Sequence, residues 1–116
     1  MPSETNTSTK IRLLASSENA RLFRNQVGTY KLADGRILSS GFGVGSPDLI
    51  GWKKTVITSE MVGRTVAVFV GIEVKAEGGK LTRKQEYWLN AIRKAGGIAG
   101  VANSDIQAKE ILNHPF

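Results

Sequence analysis

The chain contains no cysteine and a single histidine, His114. Without cysteine there is no disulfide, no thiolate metal ligand and no cysteine nucleophile. With one histidine, neither a multi-histidine metal site nor a Ser/His/Asp triad is expected. No run approaches the roughly 18 apolar residues that a membrane-spanning helix needs, so no membrane partner is expected. The opening Met-Pro-Ser-Glu-Thr-Asn-Thr-Ser-Thr is polar. It lacks the apolar centre of a secretory signal, and a cytoplasmic location is the expectation.

What the chain does have is one domain's worth of core and an excess of positive charge. Its 116 residues, 41% of them hydrophobic, suffice for a single core and are too few for two. The formal net charge is +6, and the isoelectric point is about 9.9. A balance of that sign suits a polyanionic partner, because lysine and arginine displace counterions from phosphates. The competing reading is a solvated surface that is merely basic.

Along the chain, residues 1–9 read as a flexible segment or loose cap, followed by a single domain over 10–116. Residues 10–17 form the body of a helix that starts either there or earlier, near Ser3 or Thr7. Ile11, Leu14 and Ala15 share one of its faces. A strand is predicted from Arg21 to Val27. Tyr30-Lys31-Leu32 and Arg36-Ile37-Leu38 flank Ala33-Asp34-Gly35, a hairpin signal. Gly41, Gly43 and Gly45 follow, but no Gly-Lys-Ser/Thr, so this is not a Walker A loop. Asp48 to Trp52 is a short strand, entered through Pro47. Residues 53–64 are a polar connection. Thr65 to Lys75 reads as a strand apolar on both faces, hence central and covered twice.

Gly78-Gly79 then breaks the chain. A helix runs from Thr82 to about Ala95, with Thr82-x-x-Gln85 at capping-box spacing and Tyr87, Trp88, Ala91 and Ile92 as its buried stripe. Trp52 and Trp88 read as core or interface residues rather than base-stacking platforms. Gly96-Gly97 ends the helix, Ile98 to Val101 is a last strand, and Ser104-x-x-Gln107 opens a final helix. The fold class is α/β: a mixed β-sheet flanked by helices, in the order roughly α-β-β-β-β-α-β-α.

The unusual stretch is Gly71-Ile72-Glu73-Val74-Lys75. Side chains two apart on a strand point to the same face, ~6.6–6.8 Å along it, so Glu73 and Lys75 project together. If the Asp48 strand pairs alongside, a second carboxylate joins them. Two carboxylates and a carbonyl oxygen are a hard donor set suited to Mg²⁺. Such a cation lowers the pKa of a bound water and neutralises charge on an attacked phosphate. An ammonium at Lys75 would face the phosphate or the water. By spacing alone the alternative is a surface ion pair of Glu73 with Lys75 or Lys80, worth little.

Gly45-Ser46-Pro47-Asp48-Leu49-Ile50-Gly51 followed by Phe69-Val70-Gly71-Ile72-Glu73-Val74-Lys75 resembles the PD-(D/E)XK nuclease superfamily. More narrowly, the chain resembles the virus-type replication-repair nuclease (VRR-NUC) domain. That likeness rests on Gly78-Gly79-Lys80-Leu81-Thr82-x-x-Gln85, on the run from Ala95 to Ala102, and on Phe23-Arg24-Asn25-x-x-Gly28.

The resemblance implies a restriction-endonuclease-like fold and a Mg²⁺- or Mn²⁺-dependent deoxyribonuclease. Asp48, Glu73 and the Val74 carbonyl would be the metal ligands and Lys75 the catalytic lysine. Gln85 would lie beside the site, although it is also the capping partner of Thr82. The family's first helix carries a glutamate near the site. Here Glu4 is the candidate by spacing and Glu18 the runner-up. Arg24, Lys80, Arg83 and Lys84 are the candidate phosphate contacts. Likeness to Holliday-junction resolvases implies a homodimer acting on branched DNA, in phage replication or repair, within a bacterial or phage-infected cell. The rival reading is a basic DNA-binding module without catalysis.

Overall fold

Helix α1 (Glu4–Ser17) begins at the earlier of the two expected starts. The computed structural model describes residues 3–113; His114 and the first two residues of the expected flexible segment lie outside them. Residues 4–9 belong to this helix, and the local reason is Ser3. Its Oγ accepts from the Asn6 N–H at 3.1 Å, satisfying one of the donors that a helix start leaves unpaired. Glu4 adds a negative charge in the first turn, where the helix dipole favours it. Glu18 caps the other end, and Asn19 turns the chain with φ of 60°, a left-handed conformation that asparagine tolerates. Of the expected apolar face only Ala15 is buried; Ile11 and Leu14 are exposed.

The contacts divide the chain into two compact units, one through Lys53 and one from Lys54, where the sequence predicts a single domain over 10–116. In the first unit, β1 (Ala20–Arg24) pairs antiparallel with β4 (Leu49–Lys53), placing Phe23 opposite Ile50 and Arg24 opposite Leu49. The Phe23 and Trp52 rings tilt together at 5.3 Å. Arg12 Nε donates to the Leu22 carbonyl at 3.2 Å and ties α1 to β1. The predicted hairpin forms as β2 (Gly28–Lys31) and β3 (Ile37–Ser40). At its turn, Asp34 accepts from the Arg36 N–H and from Arg36 Nε, and Gly35 takes a φ of 88°.

The second unit is a β-α-β-α arrangement, preceded by a short 3-10 turn (Ser59–Met61). It comprises β5 (Val70–Val74), α2 (Arg83–Lys94), β6 (Ile98–Ala102) and α3 (Asp105–Asn113), with β5 and β6 parallel and Glu73 opposite Val101. Strand β5 starts at Val70 rather than Thr65. Its partner sets that limit: β6 begins at Ile98, which faces Val70, because the chain before it is still leaving α2. That exit is a Schellman-type turn, in which Gly97 N–H bonds the Ile92 carbonyl, Gly96 N–H bonds that of Arg93, and Gly96 has φ of 96°.

The core of this unit is Leu89, Ile92, Ile98 and Ala102. Tyr87 and Trp88, expected in the buried stripe, are 62% and 41% exposed; Ile92 of that stripe is buried, and Leu89 joins it on the inward face of α2. The double covering expected for β5 is not found either: Val66, Val68, Val70 and Val74 are exposed. The observed order is α1-β1-β2-β3-β4-β5-α2-β6-α3, one strand more before α2 than expected. The class is mixed α/β, with three two-stranded ladders among the described residues.

Candidate functional site

In the second unit, Glu73 sits one residue before the end of β5, on the edge from which the chain leaves for α2. Ligand sites in α/β structures gather outside the carboxyl ends of parallel strands. Two tight features return the chain there. Gly78 has φ of 79°, and the Gly79 N–H bonds the Ala76 carbonyl at 2.9 Å. Thr82 then caps α2, its Oγ1 accepting from the Gln85 N–H at 3.2 Å, while Gln85 Oε1 accepts from the Thr82 N–H at 2.9 Å. The remaining group of Gln85, Nε2, donates to Glu73 Oε1 at 2.9 Å.

Lys75 Nζ lies 4.0 Å from the same Oε1, with the two side chains 23% and 33% exposed. The pair is long and partly solvated, worth well under ~1 kcal/mol to stability. Glu73 is therefore oriented chiefly by Gln85, and its Oε2 has no protein partner among the described residues. The Lys75 N–H bonds the Ala102 carbonyl at 3.0 Å, extending the ladder beyond β5. The Val74 side chain faces outward, 76% exposed. Lys80, Arg83 and Lys84 are all exposed, the last two in the first turn of α2, where N–H groups and basic side chains together suit phosphate.

In the first unit, Asp48 stands just before β4 and its carbonyl accepts from the Asn25 N–H at 2.8 Å. Its exposed carboxylate has no protein partner among the described residues. A cleft of about 590 Å³ is lined by Glu4, Arg12, Arg24, Asn25, Ser46 and Asp48, among others. The fold thus brings Glu4, Arg24 and Asp48 to one cleft. Glu18 is at the opposite end of α1 from Glu4, about 20 Å away at 1.5 Å per residue, and does not line it. Arg12 and Asn25 share the cleft without a role predicted from sequence. The signal for Asn25 was its place within Phe23-Arg24-Asn25, directly after a strand and ahead of a glycine-rich loop.

No cluster of three acidic or histidine side chains forms among the described residues. The acids stand as Glu4 and Asp48 in the first unit and Glu73 in the second. All three offer hard carboxylate oxygens, the donor chemistry that Mg²⁺ and Mn²⁺ prefer. Among the described residues, no helix is long and apolar enough to cross a membrane. Residues 17–106 match the family model described as the VRR-NUC domain. No curated protein and no solved structure gives a significant match.

Proposed function

The chain belongs to the VRR-NUC family, nucleases of the PD-(D/E)XK type, and from that premise we propose that it is a Mg²⁺- or Mn²⁺-dependent DNA endonuclease selective for branched structures. The observation that carries the reading is the state of Glu73. A half-buried carboxylate at a strand end, aligned by Gln85 and sharing its strand face with Lys75, is built for more than a surface ion pair.

In this reading Asp48, Glu73 and the Val74 carbonyl would hold the cation, with Glu4 as the assisting carboxylate of the first helix. When bound, the cation supplies activation of water and neutralisation of charge on the attacked phosphate. Gln85 holds Glu73 in one rotamer through its bond to Oε1, which would present the carboxylate to the cation. Lys75 sets its ammonium against the phosphate oxygens or the attacking water, where charge develops in the transition state. Arg24, Lys80, Arg83 and Lys84 bind the DNA backbone. The assembly is a homodimer that offers one site to each of two strands, and the setting is phage replication or repair inside a bacterial cell.

The test is cleavage of junction, flap and linear DNA in Mg²⁺ and Mn²⁺ by the wild type and Glu73→Ala, with the mass in solution measured alongside. Junction cleavage that chelation abolishes, and that Glu73→Ala reduces to background, is the expected result. Equal activity in the variant rejects the site. Salt-sensitive DNA binding with no cleavage in either cation returns the protein to a non-catalytic binding module.

A further inference from the structure

Asn25 commits its backbone N–H and both ends of its side-chain amide to the loop that leads to Asp48. Its backbone N–H donates to the Asp48 carbonyl at 2.8 Å. Its Nδ2 donates to Ser46 Oγ at 2.7 Å and to the Pro47 carbonyl at 2.8 Å. Its Oδ1 accepts from the Phe42 N–H at 3.0 Å. Three consecutive residues, 46 to 48, are therefore tied to one side chain and its own backbone, and the far end of the glycine-rich loop is tied at Phe42. The amide orientation is determined by its partners, because a flip would set Nδ2 against an N–H and Oδ1 against a carbonyl.

The loop is shaped to receive that amide. Gly41 has φ of 76°, and a Cβ there would lie 2.7 Å from Asn25 Oδ1 and 2.8 Å from the Gln26 carbonyl. Ser46 Oγ spends its own proton on the Gly43 carbonyl at 2.6 Å, leaving its lone pairs for Asn25. Aspartate could not donate to Ser46 and Pro47, and serine has too few groups to reach three partners. Asn25 is half-buried while Asp48 is exposed. With no protein donor of its own among the described residues, the Asp48 carboxylate is aimed only by the backbone that carries it.

We propose that Asn25 is the positioning residue for Asp48, and that its clasp on residues 42–48 sets the affinity of the nuclease site for its divalent cation. This rests on the reading of Asp48 as a metal ligand. The experiment measures junction cleavage and, independently, the rise in melting temperature against Mg²⁺ concentration for the full chain as wild type, Asn25→Ala and Asp48→Ala. Partners of metal ligands typically carry ~10–100-fold in metal affinity. Asn25→Ala should raise the half-saturating Mg²⁺ concentration by about tenfold or more, and high Mg²⁺ should restore most of the rate. A role in folding alone would lower the rate at every Mg²⁺ concentration without moving the midpoint, and an unmoved midpoint overturns the proposal.

Asp48→Ala should stay inactive at all concentrations; if it cleaves like the wild type, the ligand assignment fails rather than the clasp. Should Asn25→Ala lose cooperative melting, Ser46→Ala removes one acceptor and leaves the rest. It should still shift the midpoint upward, and an unchanged midpoint there overturns the proposal equally.

Discussion

The Gln85 side chain joins Glu73 to the start of α2: its Nε2 donates to Glu73 Oε1 at 2.9 Å while its Oε1 accepts from the Thr82 N–H at 2.9 Å. The two roles open to this glutamine, helix cap and neighbour of the acid, are filled at once by the two ends of one amide. A consequence is that the helix terminus and the carboxylate share a reference point. Any change that loosens the first turn of α2 also loosens the rotamer of Glu73.

The two roles separate by substitution. Gln85→Glu keeps an acceptor for the Thr82 N–H, since glutamate serves the capping box as well as glutamine does. It removes the donor to Glu73 and sets a second carboxylate against it. Thermal melting should stay close to wild type while cleavage falls by ~10–100-fold. Thr82→Ala should do the reverse, costing about 1 kcal/mol of stability with a smaller loss of rate. Unchanged cleavage in Gln85→Glu would show that the hydrogen bond to Glu73 carries no function.

What could be read from the chain was local chemistry. The cap at Thr82 and Gln85, the Asp34-Gly35 turn and the Gly96-Gly97 exit each depend on a few adjacent residues, and each is where the sequence predicts it. The start of α1 was ambiguous because Thr5, Asn6, Thr7, Ser8 and Thr9 are weak helix formers; a cap at Ser3 outweighs them. Alternation through Thr65–Phe69 predicts strand, but a strand needs a partner, and β6 begins only at Ile98, opposite Val70. Of the stripe expected on α2, Ile92 is buried, but Leu89 rather than the larger Tyr87 and Trp88 joins it in the core. Asn25 was invisible as a clasp because its partners lie about twenty residues away, and no local rule pairs them.

Lys75 should matter to the chemical step and little to binding. It is mostly covered, and its ion pair with Glu73 is long, so truncation leaves the fold intact. Lys75→Ala should lose ~10²–10³-fold in cleavage, the scale of one lost charge-stabilising donor, with DNA affinity within a few-fold of wild type. A parallel loss of affinity and cleavage would assign Lys75 to backbone binding instead.

Two glycines set a stability contrast in the strands that carry the acids. A Cβ at Gly51 would collide with the Arg21 backbone carbonyl across the β1–β4 ladder. At Gly71 it would meet the Ile92 Cδ1 at 2.6 Å, the tip of a side chain that can rotate. Gly51→Ala should therefore be the costlier, above the ~1–3 kcal/mol usual for overpacking, with Gly71→Ala inside that range. Chemical denaturation of both variants checks the order; equal midpoints would mean that the β1–β4 pair yields as readily as a rotamer.

The basic residues at the opening of α2 predict how binding responds to salt. Arg83 and Lys84 are exposed in the first turn, beside Glu73 and Gln85. A cation that neutralises a phosphate releases condensed counterions, so log K falls linearly with log salt, with a slope near −0.9 per contact on duplex DNA. Arg83→Ala and Lys84→Ala should each reduce that slope by about 1 and weaken binding to junction and linear DNA alike. Titrations of labelled DNA across salt concentrations measure the slope. If both variants keep the wild-type slope, these cations face solvent, and the backbone contacts must come from Arg24 and the first unit.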